Sequence, residues 1–345
     1  QSFAARGYFV PLKTFSISFD EKSFDEAKYF NQVASLLKTD HYIANFGVDD
    51  AIELFPSIVK KMDEPFADPS LLPTYKLSSL ASKHVKVVLS GDGGDELFAG
   101  YPTYSAHIFA NLLKNVPPVF YNPLIKFLQK TPVSYNNYPF TEKLITFLSG
   151  LQLSSVNRHF LWMSIDKSKQ HISNFNFDKS EWLNLLSAQM SKLHYTWQIK
   201  LQLLDFFTYL TDDLLVKVDR ASMYNSLEVR VPFLDPNIVN FAFSADKNHF
   251  NLFKTKIMLR KLLKDKLPQA IVKRGKKGFG IPISAWIQKP MKELVEDYLK
   301  NPDLHDYFDK KTISDSFNKH IEKKVNYGRR LWMLTMFSAW LKNWK

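Results

Sequence analysis

The chain has 345 residues, 45% hydrophobic and 23% charged. That balance excludes intrinsic disorder and allows a sizeable core, in one large unit or about two domains. Zero cysteines exclude a disulfide framework, a zinc–thiolate site, an iron–sulfur cluster and a thiol nucleophile. The formal charge of +12, from 46 basic and 34 acidic residues, fits a nucleic-acid surface or a positive cleft for a nucleotide or other polyanion. No run approaches the ~20 apolar residues of a membrane-spanning helix. Gln1 to Val10 lacks the basic-then-apolar order of a secretory signal, so a cytoplasmic protein with no membrane partner is expected. An opening Gln1 in place of Met suggests a fragment or a processed product.

In chain order, Leu12–Phe19 reads as a strand. Ser23–Leu37 follows at helical spacing, with Ser23 and Glu26 set as a capping box. His41–Phe46 is a second strand, and Ala51–Met62 a helix capped by Asp49-Asp50. A helix over Leu72–Lys83 leads into a third strand, Val85–Leu89. Strand, helix, strand, helix, strand predicts an α/β fold with a parallel sheet and flanking helices over residues 1–105. Beyond this, long helical periodicities broken by prolines predict a mostly helical part over residues 106–345. The scattered Phe and Tyr residues read as core rather than as a base-stacking platform, and no nucleic-acid partner is expected.

Three segments carry candidate chemistry. The first, Ser90-Gly91-Asp92-Gly93-Gly94-Asp95-Glu96-Leu97-Phe98-Ala99-Gly100-Tyr101, follows an apolar strand and is expected to open a helix. Ligands of open parallel sheets bind at such strand ends. Glycines bring backbone N–H groups close to an anion, and the helix N-terminus favours negative charge. Asp92, Asp95 and Glu96 in the same turn repel one another unless a cation joins them, which points to Mg²⁺ bridging carboxylate and phosphate oxygens. The plain alternative is an acidic surface turn with Asp as a helix cap. The second segment runs from Thr211 to Met223, with Asp213 and Lys217 at i,i+4 spacing, and continues into Leu227-Glu228-Val229-Arg230-Val231-Pro232-Phe233-Leu234-Asp235. On spacing alone it is a surface helix with local ion pairs, capped by Thr211 or Asp212. The third, Lys273-Arg274-Gly275-Lys276-Lys277-Gly278-Phe279-Gly280-Ile281-Pro282, is a glycine-flanked basic loop suited to a polyphosphate. It ends a basic run that starts at Lys254, whose first half also reads as a solvated helix face. The histidines show no ligand spacing and read as structural or surface residues.

Together, in this order, these three segments resemble asparagine synthetases of the glutamine-hydrolysing type. Thr14–Phe19 with Phe24-Asp25-Glu26, and Asp68-Pro69-Ser70 before Thr74, are similar to that family as well. The resemblance covers the chain from about residue 12 onward. It implies a synthetase domain of the adenine-nucleotide α-hydrolase type that uses ATP and Mg²⁺ to convert aspartate to asparagine through β-aspartyl-AMP. Ammonia, drawn from glutamine elsewhere, would be the nucleophile, and AMP and pyrophosphate would be released. Carried over residue by residue, Ile17, Ser90 and Gly91 would contact ATP, and Asp95 would bind Mg²⁺. Asp92, where some members carry Glu, would support formation of the intermediate. Lys276, with Lys277 as an adjacent competitor, would neutralise phosphate charge, and Asp213 and Arg220 would hold substrate. The family's S-G-G-x-D-S pyrophosphate loop, expected upstream of Thr14, does not occur in these 345 residues, nor does a cysteine for glutamine hydrolysis. Two further readings stay open: amidation of another carboxylate (a sugar uronate or a lactam precursor), and an inactive fragment. A homodimer is also left open.

Overall fold

The computed structural model describes residues 11–135, 139–164, 181–244 and 254–345. Gln1 to Val10, read above for a signal, lies outside the described residues. Strand β1 (Lys13–Phe19) pairs in parallel with β2 (Asp40–Phe46), from Lys13 opposite Asp40 to Phe19 opposite Phe46. The helix Ala27–Leu37 makes the crossover. Its expected capping box is absent. Glu26 sits at the N-cap without a side-chain cap bond and pairs instead with Arg274, while Asp25 accepts the Phe19 and Ala27 N–H groups, each at 3.2 Å. The next helix, Val48–Lys61, starts from Gly47, and Asp50 reaches back to the Gly47 N–H at 3.1 Å. Asp49 and Asp50 in its first turn and Lys60 and Lys61 in its last suit the helix dipole.

The single three-stranded sheet expected from the sequence does not form among the described residues. Strand β3 (Val87–Leu89) pairs in parallel with β4 (Glu228–Arg230), giving two separate two-stranded sheets. The reason is a long-range partner. Ser90 N–H donates to Arg230 O at 2.9 Å and Glu228 N–H to Lys86 O at 2.9 Å, which extends the ladder at both ends. The fold is therefore mixed α/β with small parallel sheets and predominantly helical elsewhere.

Two-stranded sheets have little stability of their own, so packing against helices must hold them. The main core joins β1 and β2 through Ile17, Phe19 and Phe46 to Phe55 and Ile58 of the Val48–Lys61 helix. It continues to Trp286 and Ile287 and to Leu331 and Trp332 of the C-terminal helix Gly328–Trp344. Phe55 is fully buried, with ring centroids 5.4 Å from both Tyr298 and Trp332. Truncating such an aromatic removes transfer energy and leaves a cavity. Phe55→Ala should lower unfolding free energy by about 3–5 kcal/mol, read as a fall in urea midpoint.

Candidate active site

The two sheets contribute to one cleft of about 2070 Å³, lined by Leu12 to Phe15 of the β1 side, by Val87 to Leu89 of β3, and by the polar residues Ser90, Gly91, Asp92, Asp95, Glu96 and Lys276. The Ser90–Gly94 turn takes its shape from Gly93, at φ 78°, where a Cβ would lie 2.6 Å from Leu234 Cδ2. A side chain there is excluded by conformation and by space, which explains why Phe233 and Leu234 of the second segment pack onto this turn. The helix that follows, Gly94–Leu97, has four residues. It is too short for the expected macrodipole effect, and the charge at the turn comes from side chains.

The three acidic residues of the turn do not converge on one point. Asp92 accepts a 2.7 Å hydrogen bond from Ser90 Oγ. Asp95 takes two ammonium groups, Lys276 Nζ at 2.7 Å from Oδ2 and Lys256 Nζ at 3.0 Å from Oδ1. Burial alone would raise the Asp95 pKa, but Lys276 and then Lys256 outweigh it and hold the carboxyl below its usual range. Glu96 is buried, accepts from Tyr101 OH, and its backbone oxygen accepts from Gln202 Nε2 at 2.7 Å. Burial is the main cause that lifts its pKa to about 7.

Of the paired lysines expected at the phosphate end, Lys276 faces the cleft. Lys277 turns away and donates to Asp25 O at 2.8 Å. The loop that carries them is held by Arg260, which donates to Thr255 O at 2.6 Å, to Arg274 O at 2.8 Å and to Val272 O. Lys256 and Arg260 therefore depart from the reading of the first half of this basic run as a solvated helix face, whereas Lys254, Lys261, Lys264 and Lys266 are exposed as it has them. Lys256 itself sits at φ 51°, at the N-cap of the Ile257–Leu263 helix.

The second segment is also rearranged. Thr211 and Asp212 cap nothing, because a ten-residue π-helix, Phe206–Leu215, runs through them between the helices Trp197–Asp205 and Val216–Met223. Lys217 bonds Asp68 Oδ2 at 2.8 Å rather than Asp213. Asp68 also accepts from the Ser70 N–H and hydroxyl, both at 2.8 Å. Burial opposes ionisation of Asp68, but Lys217 and Ser70 keep its pKa low. Asp213, lining the cleft beside it, is raised to about 7 by burial and by the Asp68 charge. The pair thus holds one proton on Asp213 and one negative charge on Asp68, balanced by Lys217.

Two residues implied by the resemblance do not line the cleft. Ile17 is buried in the main core, so only its backbone is left for a ligand. Arg220 Nη2 lies 2.9 Å from both Asp63 and Glu64, an ion-pair cluster outside the cleft lining. Ser90, Gly91, Asp92, Asp95, Asp213 and Lys276 do line it. Reading by spacing gave no role in the site to Asp68, Tyr101, Tyr209 or Lys217, which line the cleft, or to Lys256, which reaches it by pairing with Asp95. One signal was present. Gly100 stands where a Cβ would lie 1.8 Å from Asp95 Oδ1 and 2.5 Å from Lys256 Cε.

With this geometry in view, the chain can be compared with known proteins. Residues 2–342 match the family model described as asparagine synthase. The chain belongs to that family. Asparagine synthetase [glutamine-hydrolyzing] 1 of Bacillus subtilis (strain 168) is 28% identical over 343 residues, 97% of this chain and 53% of the relative. A Mycobacterium bovis (strain ATCC BAA-935 / AF2122/97) relative is 28% identical over 334 residues, 95% of this chain and 50% of its own length. A Methanocaldococcus jannaschii relative is 34% identical over 227 residues, 64% of this chain and 42% of its own length. The chain spans about half the length of the curated relatives it matches. Among the described residues no helix is long and apolar enough to cross a membrane, and no group of three or more His, Cys, Asp or Glu side chains is arranged to hold a metal ion.

Two predictions follow from the packing and charge of the turn. Gly100→Ala forces Asp95 and Lys256 apart and should cost about 1–3 kcal/mol of stability, measured by urea unfolding. For Glu96, the folded value of about 7 lies above the ordinary 4.5. Its contribution to stability is therefore fully present below about pH 4.5 and is lost as pH rises through 7. Glu96→Gln keeps the acceptor for Tyr101 and cannot ionise. It should match the wild type near pH 4.5 and exceed it by roughly 3 kcal/mol at pH 8, read from melting curves at the two pH values.

Proposed function

We propose that this chain is the ATP-using half of an asparagine synthetase, with the adenine-nucleotide α-hydrolase fold, and that the cleft activates the side-chain carboxylate of aspartate for attack by ammonia. The observation that carries the reading is the Asp95 site in the cleft: a carboxylate kept ionised, flanked by Lys276 and Lys256, in the short helix that follows the parallel strand β3.

In the proposed reaction, an aspartate side-chain oxygen bonds to the α-phosphorus of ATP and the bond to pyrophosphate breaks. Ammonia nitrogen then bonds to the acyl carbon of β-aspartyl-AMP, AMP leaves, and the nitrogen gives up a proton to solvent or a nearby base. A carboxylate oxygen is a poor leaving group, and joining it to a phosphoryl group removes that barrier. Lys276 stabilises the charge that gathers on the phosphate oxygens as pyrophosphate departs. Ser90 and the Gly91 backbone hold the nucleotide, and Asp92, oriented by Ser90, faces the reacting phosphate. Asp213, carrying a proton near neutral pH, can donate to the carboxylate substrate. Ammonia reaches this chain from outside, because its residues include no thiol to open glutamine.

The residues suit Mg²⁺ in a limited way. Mg²⁺ in nucleotide sites is held by one or two carboxylates together with phosphate oxygens. Asp95 is ionised, and both of its oxygens meet ammonium groups, Lys276 on Oδ2 and Lys256 on Oδ1, in the space that Gly100 leaves. Asp95 would hold the ion only in exchange for one of these lysines, and the ion would supply neutralisation of phosphate charge. Asp92 and Glu96, engaged by Ser90 and Tyr101, are not arranged to share it.

The test is product analysis with ATP, Mg²⁺, ammonia and aspartate in the full-length protein. Asparagine and AMP should form in equal amounts. Lys276→Met should lower kcat about 10²- to 10³-fold, the scale for removing a preorganised stabiliser of transition-state charge. Lys277→Met should change it less than threefold. AMP release with another acid and no asparagine would reassign the substrate, and a larger loss from Lys277→Met would overturn the role given to Lys276.

A further inference from the structure

A chain of buried polar side chains lies beside the cleft and takes no part in the chemistry above. Asp205 is 1% exposed. Its Oδ2 accepts from Tyr104 OH at 2.6 Å, and its Oδ1 lies 2.7 Å from His159 Nε2. His159 Nδ1 is 3.2 Å from His107 Nε2, and Arg158 Nε donates to His107 Nδ1 at 3.2 Å. Arg158 Nη2 ends the series on Asn111 Oδ1 at 2.9 Å. All four of His107, Arg158, His159 and Tyr104 are buried.

Donor logic assigns every proton in this series. Arginine can only donate, so His107 Nδ1 is an acceptor and His107 carries its proton on Nε2. That proton points to His159 Nδ1, which leaves His159 to donate from Nε2 to Asp205. Both imidazoles are thus neutral Nε2–H tautomers, and the series runs in one direction from a buried cation, Arg158, to a buried anion, Asp205. Burial also drives the His107 pKa down to about 2. A lone buried carboxylate is costly, and one that is fully hydrogen-bonded and matched by a cation is a fixed point.

Asp205 is the residue directly before the π-helix Phe206–Leu215. π-Helical turns are rare, strained relative to the α-helix and frequent at functional sites. Here the wind sends Leu210 into the core while Tyr209 and Asp213 line the cleft. Thr208 Oγ1 bonds back to Leu204 O at 2.6 Å, and Gln202, one turn earlier, holds the carbonyls of Glu96 and Leu97 at 2.7 and 3.1 Å. The junction at residues 202–208 is thus tied to the acidic turn on one side and to the Arg158 series on the other.

We propose that the relay Arg158–His107–His159–Asp205, with Tyr104, is a positioning device: it pins the start of the π-helix and so aims Asp213 and Tyr209 into the cleft. His159 is its central positioning residue, acting through Asp205 and touching no substrate. The part of this inference that concerns the cleft rests on the proposed synthetase reaction, and the part that concerns the π-helix does not.

The experiment compares wild type, His159→Phe, His159→Gln and Tyr104→Phe. Phe keeps the ring and deletes both nitrogens, whereas the Gln amide can accept from His107 and donate to Asp205. Amide hydrogen exchange over 206–215 should speed up at least tenfold in His159→Phe and severalfold in Tyr104→Phe, with β1 and β2 unchanged. His159→Gln should return to within threefold of wild type, and ¹⁵N spectra should show both histidines as Nε2–H tautomers. In turnover, His159→Phe should raise KM for the acceptor acid at least tenfold and leave KM for ATP within twofold. Unchanged exchange over 206–215 in both Phe variants, uniform acceleration across the chain, or a Gln variant as loose as the Phe variant would overturn the proposal. If His159→Phe fails to fold, Tyr104→Phe carries the same exchange test alone. A wild type without amidation activity would count against the reaction, and the exchange result would still decide the relay.

Discussion

The cleft depends on the ion pairs of Asp95. A largely buried carboxylate is unfavourable to ionise unless charge is brought to it, and here Lys256 and Lys276 bring it to Asp95 from two segments far along the chain. Each lysine is fixed by its own surroundings. Lys256 heads a helix in a left-handed conformation, and Lys276 rides a basic loop that Arg260 holds by its carbonyls. Gly100 leaves the room in which acid and ammonium meet. The fold is therefore organised around bringing distant cations to one short acidic turn.

Adjacent acidic residues in that turn end in different charge states because their partners differ. Asp95 meets ammonium groups and stays ionised. Glu96, one residue on, points inward to a tyrosine hydroxyl and keeps a proton to about pH 7. The same contrast recurs in the cleft lining, where Asp68 bonds Lys217 directly and Asp213 is raised by burial and by the Asp68 charge against the weaker pull of Lys217. In each pair the residue that bonds an ammonium group directly is the one that stays ionised. Sequence adjacency carries no information about that bond.

This is why the elements were more legible than the site. Periodicity located β1, β2, β3 and the three N-terminal helices to within a few residues, because each is a local pattern of apolar spacing. It failed where a distant partner decides. Strand β4 is three residues of Leu227-Glu228-Val229-Arg230-Val231, whose apolar–polar alternation is too short to stand alone, and it is made a strand by pairing with β3. The Phe206–Leu215 π-helix has the composition of an ordinary helix, and its wind depends on neighbours that spacing does not reveal. Among site residues, the resemblance singled out Ser90, Gly91, Asp92, Asp95, Asp213 and Lys276, all of which line the cleft. It also singled out Ile17 and Arg220, whose side chains are committed to the core and to an ion-pair cluster. Choosing between Lys276 and Lys277 required coordinates, since neighbouring loop residues project in different directions.

The cleft lining combines apolar residues of the two sheets, Phe15, Val87 and Leu89 with Leu12 just before β1, and the polar turn that follows β3, which supplies Ser90, Asp92 and Asp95 and is met there by Lys276. Because β3 is held in the fold by β4, and β4 leads through Val231 to Phe233 and Leu234 beneath Gly93 and Gly94, one continuous segment sets both the direction of the strand and the shape of the turn at its end.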